Sequence, residues 1–208
     1  MHLANRTGWF ENLAMAFGTV NDLTCDGDNV TNTISQMERA GDVLDKWLSL
    51  TPLPGGGGGQ KTESYELMFW LAVNMFQLEA WKHGRKGKMF IIFDEKPYPK
   101  ISAHLLQQMF LNREVPEPDK SAGDVEISVN QNRLSTDTGL VLPASDIDTF
   151  QIVQNELLPK WDVYPIICGS SGYYNDAEVL KVWKKMFGEQ AIIKVQDTSD
   201  ISGAILAV

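Results

Sequence analysis

Uninterrupted apolar stretches and stretches with helical apolar spacing take turns along the chain, which is typical of an α/β protein. Two short stretches, Lys88–Phe93 (KMFIIF) and Val163–Cys168, are almost wholly apolar. Strands of that kind are found in parallel sheets that are covered on both faces. Ala177–Phe187 instead has helical spacing and follows Asn175 and Asp176, whose residue types cap helix N-termini. The pattern predicts a mostly parallel sheet wrapped by helices.

The other elements follow from the same pattern. The longest predicted helix, Glu63–His83, is apolar on most of its circumference, so we expect it to be central and buried. The polar stretch 112–145 is rich in Pro, Asp, Glu, Ser and Thr, and it is predicted to be an inserted loop or hairpin with weak strand patterns. The remaining predictions are strands at 12–18 and 191–195, a polar loop at 19–32, and helices at 34–50, 101–111, 146–158 and 199–207.

Composition narrows the class of protein. A chain of 208 residues with 43% apolar residues can bury one sizeable core, so we expect a single domain over 1–208. The formal net charge of −9 argues against a nucleic-acid partner, because phosphate binding relies on clustered Lys and Arg. Cys25 and Cys168 are too few and too distant in sequence for a disulfide framework or a zinc site. Since no stretch resembles a membrane helix or a secretory signal, we expect a cytoplasmic protein with no membrane partner.

Five consecutive glycines, Gly55–Gly59, precede the longest predicted helix, and the first apolar strand ends at Asp94 and Glu95. A glycine loop at a helix N-terminus, beside a strand that delivers a carboxylate, is a common way to build a phosphate or a metal site. As a phosphate loop, GGGGGQKT has Gln60 where the last glycine is required. The segment before it also ends in prolines and is not a strand. A cation site is therefore favoured, and a degenerate P-loop ATPase is the alternative.

The hypothesis of a cation site assigns ligand roles to two side chains. Thr62 supplies a hydroxyl, with Glu63 as the alternative to Thr62, and Asp94 supplies a carboxylate that holds an ion-bound water. Hard ions such as Mg²⁺ take oxygen ligands and keep several waters, so these groups are reasonable partial ligands. They are not sufficient alone.

Three segments occur in order along the chain: GGGGGQKTESYELMFWLAVNMFQLEAW, RKGKMFIIFDEKPYP and DVYPIICGSSGYYNDAEVLKVWKKMFGEQAIIKVQDTSDISGAI. Together they resemble the von Willebrand factor A domain, and most of all a bacterial and phage group of such domains. The resemblance extends from about Leu13 onward, except for 112–145. It implies a Rossmann-like three-layer sandwich with a metal-ion-dependent adhesion site, which the family builds from a D-x-S-x-S motif, a Thr and an Asp. Thr62 and Asp94 match the second and third of these positions.

No D-x-S-x-S motif occurs in the 208 residues, and NLAMAFGTVND resembles the third strand of the family fold. We therefore expect a domain that is incomplete at its N-terminus. Three explanations stay open: a start further upstream, a sheet completed by another polypeptide, or replacement of the missing ligands and core.

The function that the resemblance implies is a non-catalytic protein-interaction module. A bound Mg²⁺ or Mn²⁺ would expose one coordination position, which a carboxylate of a partner protein fills. No nucleophile, base or cofactor fingerprint in the sequence predicts an enzyme. A metal-free structural or assembly component is a further alternative, and an ordinary strand-to-helix turn is the alternative for 169–172. The residues predicted to form the partner-binding rim are Ser64, Glu95, Ser170 and Ser171.

Overall fold

The computed structural model describes residues 13–23, 32–51, 61–111, 140 and 142–208. The chain divides into two compact units, Met1–Tyr65 and Glu66–Val208. This boundary falls within the first turn of one helix, so the organisation as a single domain stays a prediction. The glycine run and nearly all of the predicted insert, namely 112–139 and 141, lie outside the described residues.

The first unit contains a short antiparallel strand pair. Gly18 lies opposite Ile34 and Thr19 opposite Thr33, and the two threonine hydroxyls are 2.7 Å apart. The helix predicted to begin at Ile34 begins only at Gly41, because Thr33 and Ile34 hydrogen-bond across to the other strand instead. Residues 13–17 of the predicted strand 12–18 do not belong to a strand either, so the extent of that prediction is wrong. The elements are β1 (Gly18–Thr19), β2 (Thr33–Ile34), α1 (Gly41–Leu50) and β3 (Thr62–Glu63).

The second unit alternates strands with helices. Its principal elements are α2 (Tyr65–Asn74), α3 (Glu79–Lys82), β4 (Gly87–Ile92), β5 (Lys96–Pro97), β6 (Lys100–Ile101), α4 (Ala103–Leu111), β7 (Ile147–Asp148), α5 (Thr149–Ile152), a π-helix (Val153–Leu157), α6 (Leu158–Lys160), β8 (Trp161–Cys168), α7 (Ala177–Phe187), β9 (Ile193–Val195), a 3₁₀-helix (Thr198–Asp200) and α8 (Ile201–Leu206).

A parallel sheet of three strands forms the centre of the second unit, with β8 between β4 and β9. Gly87 lies opposite Trp161 and Ile92 opposite Ile166, while Cys168 lies opposite Val195. The predicted α/β class with parallel strands is confirmed at this level, and α7 has the predicted bounds. Because the three strands run in one direction, their carboxyl ends meet at one edge of the sheet.

Helices cover both faces of this sheet. On one face, α8 places Ile201, Ala204 and Ile205 against a cluster of Ile166, Cys168 and Val195. The opposite face includes Phe93, whose ring stacks on that of Trp183 from α7. The helix α2 is buried along its whole length apart from its last residue and Met68, as its apolar circumference predicted. Apolar burial of this kind is the main stabilising contribution to a fold.

The long helix predicted over Glu63–His83 is wrong as a single element. It forms α2 and α3, and residues 75–78 between them are not helical. The interruption lets Phe76 and Trp81 both pack edge-on against Trp161, with ring centroids 5.9 and 5.7 Å away. No helix within the described ranges is long and apolar enough to span a membrane.

Candidate functional site

Four of the predicted site residues lie at the carboxyl edge of the parallel sheet. Asp94 and Glu95 follow β4, and Ser170 and Ser171 follow β8. Beyond the strand ends the pairing continues for one residue, since the Phe93 amide donates to the Ile166 carbonyl at 2.9 Å and the Gly169 amide to the Val195 carbonyl at 2.8 Å. This edge is where open α/β sheets bind their ligands.

The turn that carries Asp94 is anchored on both sides of that residue. Phe93 is 2% exposed, and its ring stacks on Trp183 with centroids 4.2 Å apart. The Glu95 carbonyl accepts a hydrogen bond of 2.8 Å from the Trp183 indole nitrogen. Asp94 between them is exposed. The backbone of this turn is therefore held by the core while the acidic residue faces solvent.

The chain after this turn is held by two buried polar side chains that sequence reasoning missed. Glu66 and Thr149 are each 1% exposed. A Glu66 carboxylate oxygen accepts from the Tyr98 amide at 3.1 Å, and the Thr149 hydroxyl donates to the Tyr98 carbonyl at 2.8 Å. The Thr149 amide also donates to the Pro99 carbonyl at 3.0 Å. The one signal for Glu66 in the sequence was its position as a carboxylate within the apolar stretch 65–73 (YELMFWLAV).

The loop after β8 is packed closely against the end of β9. A Cβ atom on Gly169 would lie 2.5 Å from the Gln196 carbonyl oxygen, so only glycine fits there. The Ser170 hydroxyl is 3.3 Å from the Cys168 sulfur, and the Ser171 hydroxyl oxygen accepts from the Tyr173 amide at 3.1 Å. Both hydroxyls take part in the local turn, and their role in a partner-binding rim stays a prediction.

The remaining predicted site residues belong to the first unit. Thr62 and Glu63 form β3 and are half-buried. Ser64 is 0% exposed: its hydroxyl oxygen accepts from the Leu23 amide at 3.3 Å, and its carbonyl accepts from the Asn32 side-chain amide at 2.8 Å. These bonds give Ser64 a part in the fold, and a rim role for it stays a prediction.

Because Thr62 and Asp94 lie in different units, their convergence on one ion also stays a prediction.

Sequence reasoning missed a second feature of the first unit, where Asn21, Asp22 and Asn32 are all buried. The Asn21 amide donates to the Asn32 side-chain oxygen at 2.8 Å. The polar composition of 19–32 predicted a loop and gave no sign of this burial.

A further carboxylate, Asp197, follows β9 at the same edge of the sheet. The backbone amide of Ser199 donates to it, as does the Ser199 hydroxyl, and these bonds lower the pKa of Asp197 below its ordinary value of 3.8. Asp197 and Asp200 form a capping box that starts the 3₁₀-helix. In the part of the chain that the structure describes, no three His, Cys, Asp or Glu side chains group as a metal site. An ion at this edge would therefore need hydroxyl, carbonyl or water oxygens beside Asp94.

No family model, no curated protein and no solved structure matches this chain. Function is therefore inferred from the residues at the carboxyl edge and from the motifs around them.

Proposed function

We propose that the protein is a cytoplasmic, non-catalytic interaction module of the von Willebrand factor A type, with a divalent-cation site at the carboxyl edge of a Rossmann-like sheet. The main support for this proposal is the parallel pairing of β4 with β8, in which Ile92 lies opposite Ile166. This register supports a shared site because it brings Asp94 and the loop 169–171 to the same edge.

The residues present fit a hard cation. Asp94 offers an exposed carboxylate on an anchored turn, and Mg²⁺ or Mn²⁺ bound by one or two protein oxygens keeps several waters. In this proposal Asp94 holds the ion, and Glu95, Ser170 and Ser171 form the rim beside it. The parts of Thr62, of Glu63 as its alternative and of Ser64 stay predictions from the sequence, because these residues belong to the other unit.

A cation also explains how an acidic protein would take an acidic partner. The formal net charge of −9 repels a carboxylate at long range, since like charges raise the energy of approach. An ion with one exchangeable water gives that carboxylate a positive ligand position. Partner binding would then depend on the metal and be reversed by a chelator.

The test is titration of the full chain with MgCl₂ or MnCl₂, followed by calorimetry. We expect one ion to bind, and Asp94→Ala to weaken Mn²⁺ binding by at least about tenfold. Asp162→Ala is the matched control, because Asp162 is an exposed carboxylate at the opposite end of the same strand pair, where Lys86 lies 3.5 Å away. Equal affinities in the two variants would refute the site.

The same titration with ATP separates the alternatives. ATP binding that is lost in Lys61→Ala would support the degenerate P-loop ATPase. If neither metal nor ATP binds, the metal-free structural or assembly component is left.

A further inference from the structure

One buried side chain contacts both neighbours of Asp94. The Trp183 ring stacks on Phe93 at 4.2 Å with an interplanar angle of 26°, and its indole nitrogen donates to the Glu95 carbonyl at 2.8 Å. These contacts fix the residue before and the residue after Asp94. The Asp94 backbone is therefore held at two points by a single group.

Trp183 is itself held firmly by its surroundings. It is 0% exposed, and its ring stacks on Phe187 at 5.7 Å and meets the edge of Phe69 at 6.2 Å. Its helix, α7, is capped by the Asp176 side chain, which accepts from the amides of Glu178 and Val179. A side chain enclosed in this way keeps one rotamer, so it can transmit a fixed position to the turn.

We propose that Trp183 is the positioning residue that sets the place of the Asp94 carboxylate at the cation site. The inference deepens the proposed function and rests on it. Ligand groups must be held to within about 0.5 Å for a site to bind well, and the groups behind them supply that precision. Removing such outer contacts weakens metal binding by about 10- to 100-fold in known sites. Trp183 acts through the backbone and does not contact the ion.

The chain offers a matched control in Trp161. This side chain is also buried, and its indole nitrogen donates to a backbone carbonyl, that of Ala72, at 3.2 Å. Trp161 begins β8, whereas the site lies beyond the end of that strand, which places the two on the order of 20 Å apart. Trp161→Phe and Trp183→Phe thus each remove one buried indole hydrogen bond. Only the bond lost in Trp183→Phe is made to the turn that carries Asp94.

The first experiment measures the Mn²⁺ affinity of both variants, together with the exchange rate of the Phe93 amide, which donates to the Ile166 carbonyl at 2.9 Å. Trp183→Phe is expected to weaken Mn²⁺ binding by about tenfold and to accelerate exchange of this amide. Trp161→Phe is expected to change neither quantity. In an Asp94→Ala background, Trp183→Phe should have no further effect on metal affinity, because its effect passes through that carboxylate.

The second experiment uses the unaltered chain, so it does not depend on a variant that folds. Mn²⁺ is paramagnetic and broadens nearby nuclear resonances. The indole N–H signal of Trp183 should broaden on addition of Mn²⁺ well before that of Trp161.

The outcomes separate this inference from the function on which it rests. If Mn²⁺ binds but both variants lose affinity equally, the positioning role is overturned. If the Trp161 signal broadens first, the ion lies away from Asp94, and the proposed site is overturned together with the role of Trp183. If Mn²⁺ does not bind at all, the proposed function fails, and amide exchange alone decides. Faster exchange of the Phe93 amide in Trp183→Phe alone then supports the positioning role, and unchanged exchange overturns it.

Discussion

The two ends of the parallel sheet differ in what their side chains do. At the amino end, Trp161, Trp81 and Phe76 form an aromatic cluster. At the carboxyl end, the strands open into loops with exposed polar residues, among them Asp94 and Ser170. The first end is closed by packing and the second is open to solvent.

Side chains at the amino end also complete the end of a helix. Lys160 donates to the Val73 carbonyl at 3.1 Å, and Trp161 donates to the Ala72 carbonyl. Both carbonyls belong to the last turn of α2, where carbonyl groups lack partners within the helix. Burial at the amino end thus completes the fold. At the carboxyl end, the buried Trp183 also holds the backbone beside an exposed residue, because its indole donates to the Glu95 carbonyl.

Trp161→Ala should change stability more than any other substitution at either end. Loss of a buried tryptophan should lower the free energy of unfolding by about 3–5 kcal/mol, measured by chemical denaturation. The control is Tyr174→Ala at the carboxyl end, where the half-buried phenol accepts from the Gln196 side chain at 2.9 Å. We expect that variant to cost less than about 1.5 kcal/mol. Similar losses in both would remove the distinction between the ends.

A smaller loss of stability is expected at one point of the carboxyl end that is tightly packed, and it would show that this end is not uniformly open. Gly169→Ala should cost about 1–3 kcal/mol, since the new Cβ would lie 2.5 Å from the Gln196 carbonyl oxygen. Gly172→Ala is the control in the same loop, as its Cβ would have no neighbour within 4 Å. Denaturation midpoints that do not differ between these variants would show that the loop yields freely.

The smallest expected effect is the pH dependence of the C-terminal helix. Hydrogen bonds from Ser199 lower the pKa of Asp197 below 3.8, so the folded state favours the ionised form. This contribution is present in full above pH 3.8 and is lost as the pH falls through the lowered pKa. The protection factors of the amides in 199–201, which compare each exchange rate with that of an unstructured peptide at the same pH, should fall over that range in the unaltered chain and should lose this dependence in Asp197→Asn. Protection factors that do not change with pH in either chain would contradict the role of the cap.

Much of the second unit could be predicted from sequence because its signals are local. The apolar runs of β4 and β8 stop at glycine or at charged residues, and Asp176 marks the beginning of α7. The break after Asn74 carries no glycine or proline. It depends on packing against Trp161, which is 87 positions further along the chain and is not visible in a local pattern.

The candidate site was predictable in part for the same reason. Because the two strands are parallel, Asp94 and Ser170, which follow them in the chain, must lie at the same edge of the sheet. The buried contacts behind that edge, such as Trp183 with the Glu95 carbonyl, depend on how α7 packs. Helical spacing predicts that Trp183 is buried, but it does not say which backbone group its indole meets.

The π-helix Val153–Leu157 has a consequence for how this sequence can vary. Its i to i+5 hydrogen bonding winds more residues into each turn than an α-helix does. Asn155 in the middle of it is exposed, while Val153 and Leu157 are buried. A homologous chain that is one residue shorter here can form a plain α-helix and still begin β8 at the same place in the fold. An alignment gap at this point would then record a change of winding, not a break in the architecture.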